Sequence, residues 1–427
     1  MYVNFRAAVD LNGSGMTQLI SRILSLVALL VTVSANSIEV RADTSDGKKQ
    51  SHPVTPYADI RYRLELVDQD GLSRNATAST LRVRAGVRTM EWNGLSAQIE
   101  GEAIAVIGKA KYNDTVNGKT TYPVVADSKD VLLNQAFVRW RPAPQIEAVA
   151  GRQAVNIENQ RWIGSVGWRQ NDQTLDSARL TLRPAKTLTL DYLYVWRVNR
   201  VFGPDSPQGI WHDTNIHGAR AALAIKDIGT LSGYGYWLDI PASPISSNAT
   251  IGLRLTGERA LNSKLKLLYT GEYARQMDYA ANPRNFALDY TLVEGGAAFG
   301  PASFRLGWER LEGDGVSAIQ TPLATLHAFN GWADKFLTTP ANGLRDIYAD
   351  LGYRLTGNGP LKGASFRLAW HDFRSIRSDL HYGQEWDASA TFPVHKHVAL
   401  VTKVARYNTK GFATDTLKAW FGVELKM

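Results

Sequence analysis

The groups best suited to chemistry are concentrated in residues 151–179, GRQAVNIENQRWIGSVGWRQNDQTLDSAR, where Arg152, Arg161, Arg169 and Arg179 stand among glutamines, asparagines and two tryptophans. The segment has no apolar period that would make it a core helix or a paired strand. A polar stretch of this length between alternating segments is more often functional than a plain connector. Disorder fits less well, because Trp162 and Trp168 are costly to leave in water and Gly151, Gly164 and Gly167 suit a chain folded tightly against something. The expectation is an ordered loop that aims guanidinium forks into a polar space, where they match carboxylates as lysines do not. Arg152, Asn159, Arg161, Arg169, Gln170 and Asp172 are the candidates to line a constriction there, and the plainer alternative is an outer loop that only braces a wall.

A second set is Arg61, Arg63, Arg82, Arg84 and Arg88. Along residues 57–67, Ile60, Tyr62, Leu64 and Leu66 alternate with Asp59, Arg61, Arg63 and Glu65, and along 81–90, Leu81, Val83, Ala85 and Val87 oppose Arg82, Arg84 and Arg88. On neighbouring strands these arginines make a ladder of positive charge favouring anions. The competing reading pairs them with Asp59, Glu65, Glu100 and Glu102 in a structural ion network. Arg139, Arg254, Arg305 and Arg367 are further lumen candidates. Catalysis finds little: Glu100 and Glu102 share a strand face as a glycosidase pair would, and His395 and His397 share one as metal ligands would, but the former read as lumen charges and the latter sit on a turn with no nearby carboxylate. No nucleophile elbow, phosphate loop or CxxC is present. An outer-membrane hydrolase remains the remote alternative, and no metal or cofactor is called for.

The elements that must position these residues are strands. Alternating segments lie near 57–67, 81–90, 95–105, 131–141, 145–151, 176–183, 188–197, 214–224, 230–238, 249–258, 264–275, 286–298, 303–311, 345–355, 364–373, 384–392, 398–407 and 416–427. Their links alternate in length: those at 91–94, 142–144, 184–187, 226–229, 259–263, 299–302, 356–363 and 393–397 are short, whereas 106–130, 152–175, 198–213 and 312–344 are long. This predicts an all-β fold, a single-domain, membrane-spanning antiparallel β-barrel of about 18 strands with short periplasmic turns and long outer loops. Tyr57, Trp92, Trp140, Trp196, Trp237, Trp308, Trp370 and Trp386 fall near strand ends, where interfacial girdles want them. A propeller would need a repeat period that is absent.

Arg22, the apolar run 23–33 and the small residues Val33, Ser34 and Ala35 have the order of a secretory signal, which assigns 1–35 to a cleaved peptide, 36–56 to a polar periplasmic tail and 57–427 to the barrel. Met16 is an alternative start. The formal charge of +8 becomes +7 once Arg6, Arg22 and Asp10 are removed, and its arginines alternate along strands instead of forming the block that would suggest nucleic acid. With no cysteine there are no disulfide staples, which a closed barrel does not need.

Gly151-Arg152-Gln153, then Asn159-Gln160-Arg161, Gly167-Trp168-Arg169-Gln170-Asn171, Gln173-Thr174 and Asp176 together resemble the hallmark segment of the alginate-export family of outer-membrane β-barrels. The resemblance implies a bacterial outer-membrane channel for a uronate polysaccharide, whose partners are the lipid bilayer with its lipopolysaccharide, an anionic saccharide or carboxylate solute, and periplasmic export or assembly proteins. The alternative is a substrate-selective uptake porin for small solutes, since every predicted periplasmic turn is too short to form the exporter's lid.

Overall fold

The computed structural model describes residues 53–359 and 361–427; the expected signal peptide and nearly all of the expected tail lie outside them. The strands are β1 (Val54–Gln69), β2 (Ala76–Thr89), β3 (Leu95–Val106), β4 (Asp130–Ala143), β5 (Ile146–Gln153), β6 (Thr174–Ala185), β7 (Leu188–Asn199), β8 (Ile210–Trp211), β9 (Asn215–Ile225) and β10 (Gly229–Asp239). They continue as β11 (Asn248–Ala260), β12 (Leu265–Asp278), β13 (Ala287–Phe299), β14 (Ala302–Leu311), β15 (Leu344–Arg354), β16 (Ser365–Arg374), β17 (His381–His395), β18 (Val398–Thr409) and β19 (Thr416–Lys426). β8 is a two-residue ladder on β7, so eighteen strands build the wall. Each wall strand pairs antiparallel with the next, and β19 returns to β1 with Asp59 opposite Lys426 and Gln69 opposite Thr416. Closure leaves no unpaired edge, as a structure facing hydrocarbon requires. The all-β antiparallel barrel expected from the alternation is therefore the observed fold.

Period two decides which side chain faces where. On β1, Arg61, Arg63 and Glu65 are buried inside while Leu66 is exposed outside, and the same parity runs round the barrel. Exposed Trp92, Trp140, Trp196 and Trp386 lie on the outer surface. One rim carries tight turns such as Asn93-Gly94, both at positive φ (48° and 79°), the geometry a two-residue hairpin favours. The opposite rim carries the long connections, and three of these turn inward: 107–129, whose Tyr112 and Val125 pack on Val67, Ala76 and Ala78 of β1 and β2, and 154–173 and 312–343, which fill the lumen. There the latter two join wall residues in a hydrophobic core that includes Trp162, Ile163, Tyr234, Tyr290, Ile319, Leu323, Trp332, Phe336, Phe373 and Trp420.

The loop is shorter than residues 151–179. β5 continues to Gln153 and β6 begins at Thr174, which puts Arg152 and Arg179 on strands, with Arg152 opposite Asp176 and Arg179 opposite Val149. Polar residues pair here without apolar alternation because the neighbouring wall strands supply backbone partners and opposite charges.

Candidate solute path inside the barrel

Loop 154–173 lies on the arginine wall of β1 and β2. Arg61 donates from Nε to Gln170 Oε1 at 2.9 Å and from a terminal nitrogen to the Gly167 carbonyl at 3.0 Å. Arg63 donates to the Trp168 carbonyl at 2.6 Å and pairs with Asp127. Arg84 pairs with Asp172 at 2.7 Å and with Glu102. Gln170 Nε2 donates to Thr80 Oγ1 at 2.9 Å, which ties the loop to β2 directly. In the barrel register Arg61 faces Arg82, two like charges directly across the ladder. Arg82 is relieved by Asp59, Arg63 by Asp127 and Arg84 by Glu102 and Asp172, while loop carbonyls serve Arg61 and Arg63. Arg88 stands apart near the periplasmic rim, exposed, with Gln98 as its hydrogen-bond partner at 3.0 Å and the Tyr57 ring at 4.2 Å.

Loop 312–343 lies on a wall of opposite charge. The Ala333 amide donates to Glu385 Oε1 at 2.6 Å and the Trp332 amide to Asp387 Oδ2 at 3.1 Å. Asn330 Nδ2 donates to Glu309 Oε2 at 2.6 Å and to Asp346 Oδ2 at 3.0 Å. Gly331, at φ 83°, permits this close approach; a Cβ there would run into the Glu385 carboxylate.

The two loops also hold each other. Ile163 and Leu323 form a parallel bridge, with Gly164 N donating to Leu323 O at 2.8 Å and Thr325 N to Gln160 O at 3.1 Å. Arg161, 2% exposed, crosses from the first loop to pair with Glu309 at 3.0 Å and to donate to Asn330 Oδ1 at 3.0 Å. Its neighbouring carboxylates, Glu309 foremost, more than offset its desolvation and raise its proton affinity. Trp162 Nε1 donates to Glu272 Oε1 at 2.8 Å and its ring meets Tyr290 edge-on at 5.1 Å.

Between the loops and β18 lies a chain of charges around His327. The ring stacks on Trp168 at 4.5 Å, with Nδ1 2.7 Å from Asp334 Oδ1 and Nε2 2.8 Å from Lys403 Nζ. With Lys403 charged, Nε2 accepts and the neutral imidazole gives its Nδ1 proton to Asp334. Burial, then Lys403, push the His327 pKa down to about 3. Lys403 Nζ is boxed at 3.8 Å from both the Trp168 and Trp332 rings. Asp334 also receives Lys418 at 2.7 Å and Arg169 at 3.2 Å, cations that hold its carboxyl well below the usual range.

A cavity lies on each side of this knot. The outer vestibule, about 430 Å³, is lined by Arg169, Arg200, Lys335 and Lys418 with Phe202 and Leu326, and Asp334 is the one acid in its lining. The inner cavity, about 240 Å³, is bordered by Asn159, Arg254, Arg305 and Arg367 together with Glu294, Glu309, Asp346 and Asp350. The loop residues 326–335 contribute to both.

The structure thus brings Arg61, Arg63, Arg82, Arg84, Arg169, Gln170 and Asp172 together, puts Arg161 on the far wall and Asn159 at the inner cavity, and leaves Arg152 and Arg88 outside these groups. Arg152 forms a two-toothed pair with Asp176 at 2.6 and 2.9 Å. Glu100 accepts from Asn134 at 2.7 Å and Glu102 pairs with Arg84, so the two acids serve different partners. His397 Nδ1 is 2.7 Å from the Lys426 carbonyl and its ring is 5.6 Å from that of His395. Among the described residues no metal-holding group of three or more His, Asp or Glu forms. The sequence reading missed Arg200, His327, Asp334, Lys335, Lys403 and Lys418. The length of the 312–344 link was visible, and inward parity on the last two strands marks Lys403 and Lys418.

No protein-family profile and no curated protein matches the chain. Solved structures match across the barrel: Pseudomonas aeruginosa OpdL at 17% identity, covering 88% of this chain and 98% of that one with a TM-score of 0.67, and Acinetobacter baumannii OccAB2 at 13% identity, 87% and 98% coverage and a TM-score of 0.69. The outer-membrane protein OpdK of P. aeruginosa, solved also with vanillate, matches at 13% identity over 87% of this chain and 98% of that one, with a TM-score of 0.67 for the vanillate structure. These neighbours are outer-membrane barrels of the Opd and Occ type. They overturn the alginate-export resemblance and, with it, the uronate-polysaccharide channel. The arginine, asparagine and glutamine content of 151–176 has another physical source: a segment packed inside a lumen walled by both charges needs donors and acceptors in equal supply.

Proposed function

We propose that this barrel is an outer-membrane uptake channel selective for small carboxylate solutes. One observation carries the reading: among the described residues Arg200 and Lys335 line the vestibule with no carboxylate in ion-pair contact, while its acid, Asp334, is already shared by Arg169, Lys418 and His327. Burial lowers the pKa of Arg200 to about 10 and, with help from Lys418, that of Lys335 to about 8. A solute carboxylate supplies the missing counter-charge, and the apolar lining around Phe202 and Leu326 accepts a ring or short chain. OpdK, a barrel of the same fold, holds vanillate, an aromatic carboxylate. Cavities of about 430 and 240 Å³ suit small molecules and leave no cylinder for a polymer.

In this reading Arg169 contacts the solute. Arg61, Arg63, Arg82 and Arg84, with Gln170 and Asp172, hold the loop that presents it, and Arg161 fixes the second loop. Asn159 with Arg254, Arg305 and Arg367 receives the solute on the inner side, where arginines exchange carboxylate partners without trapping any. Arg152 and Arg88 trim the rim charge. Residues 1–35 serve as the export signal and 36–53 as the periplasmic lead-in, since 54–56 already pair with β2, and no covalent step is involved.

The test is flux into liposomes carrying the purified barrel, comparing benzoate with benzyl alcohol, for the wild type and for Arg200→Gln/Lys335→Gln. The wild type should favour benzoate by about tenfold or more, and the variant should lose most of that preference, the loss of roughly one charge-assisted contact. Equal flux of acid and alcohol through the wild type overturns the reading.

A further inference from the structure

On the outside of the barrel, at the long-loop rim, Arg310 of β14 is directly opposite Arg345 of β15, which is directly opposite Arg374 of β16. Side chains so paired have Cβ atoms only about 4.5–5.5 Å apart, and like charges there repel. All three have outward parity, opposite to that of the buried Glu309, Asp346 and Phe373 beside them in sequence. Among the described residues three carboxylates serve them, of which Asp379 is exposed, Glu312 half-buried and Asp372 shared with a histidine. Glu312 meets Arg310 at 3.0 Å, Asp379 meets Arg345 at 2.7 Å and Arg374 at 3.4 Å, and Asp372 divides itself between Arg374 at 3.2 Å and His381 at 2.8 Å. The Asp379 side chain is 63% exposed, so its two pairs are screened and weak. The three guanidinium groups keep 29%, 32% and 35% of their side-chain surface open. Arg377, three residues beyond Arg374, is exposed and makes no ion pair among the described residues, although it lies within electrostatic reach of Asp314.

The height of this row is set by its neighbours. Trp308 and Ile347 lie one outward position below Arg310 and Arg345, and the Trp370 and Trp386 rings, 6.5 Å apart, lie further down the same face. Tryptophans of this kind mark the boundary between hydrocarbon and headgroup. The arginines therefore sit at headgroup depth on the side of the long loops, the outer leaflet.

We infer that this row is a docking site for the phosphorylated headgroup of the outer-leaflet glycolipid. A phosphate monoester presents three acceptor oxygens that guanidinium forks take in pairs, which lysines cannot reproduce. One such anion set across the row adds counter-charge to three arginines whose acids are shared or, at Asp379, screened by solvent. The site faces away from the lumen and stands independently of the transport reading.

The mature barrel in detergent is examined by native mass spectrometry with lipid A bearing both phosphates, with the same lipid dephosphorylated, and with inorganic phosphate. Wild-type protein should retain one bis-phosphorylated lipid A, release the dephosphorylated lipid, and survive equimolar inorganic phosphate. Arg345→Gln/Arg374→Gln should lower retention by about tenfold or more, whereas Arg259→Gln at the other rim should leave it unchanged. Heat-modifiable migration reports folding, and Arg345→Gln alone replaces the pair if the double variant does not fold. Equal retention of the dephosphorylated lipid, full retention by the folded variant, or displacement by equimolar phosphate overturns the site.

Discussion

On the β1–β2 side of the lumen, Arg61, Arg63 and Arg84 reach out to carbonyls and a carboxylate of loop 154–173. On the β14–β17 side, Glu309, Glu385 and Asp387 stay short and accept hydrogens that loop 312–343 brings to them. The first arrangement relies on long, permanently charged donors, each serving several acceptors. The second relies on acceptor atoms, which an amide oxygen can imitate. Removing an arginine orphans several buried groups at once, while blunting a carboxylate leaves the geometry nearly intact.

The sharpest way to break the comparison is Arg84→Gln, which strands Glu102 and Asp172 on the arginine side. It should cost about 3–5 kcal/mol, read as a lower urea midpoint in lipid, with larger and noisier single-channel currents as the loop loosens. A loss below about 1 kcal/mol would mean the loop does not depend on this wall.

Acid comes next and should act on the other loop. His327 has a folded-state pKa depressed to about 3, so its contribution is complete above about pH 6.5 and is lost as pH falls towards 3. Asp334, also depressed, acts in the same direction lower in that window. Moving from pH 7 to pH 5 should weaken the anchoring of loop 312–343 by about 2 kcal/mol, seen as faster amide exchange of 326–335 with 160–170 less affected. Uniform exchange across both loops would erase the distinction.

Glu385→Gln keeps the acceptor for the Ala333 amide and should cost about 1 kcal/mol; a loss as large as that of Arg84→Gln would equate the two walls. Smallest of all, Arg88→Gln removes an exposed contact and should change stability by under about 0.5 kcal/mol, with unfolding in urea as the check.

The wall was legible in the sequence because a barrel strand has one lipid face, and Ile60, Tyr62, Leu64 and Leu66 cannot alternate with Arg61, Arg63 and Glu65 for any other common reason. Strand ends were not, since β1 runs on to Gln69 and β2 starts at Ala76 through residues whose pairing depends on neighbours far along the chain. The loop at 151–179 announced itself by its arginines. What it would be packed against did not, and its composition resembled the wrong family for that reason. His327, Asp334 and Lys403 come together across 76 residues of chain, in a knot that no local spacing encodes.

The parallel bridge between Ile163 and Leu323 has a consequence for how such barrels can diverge or be rebuilt. Two inserts joined by backbone hydrogen bonds behave as one module with two attachment points. A chimaera that borrows one insert from another barrel inherits half of a hinge, because Gln160 and Gly164 must still find the Thr325 and Leu323 backbone. Transplanted together with Arg161 and Asn330, the inserts carry their own clasp and need only a wall with one basic and one acidic side. Altered selectivity is therefore best sought by exchanging the inserts as a pair.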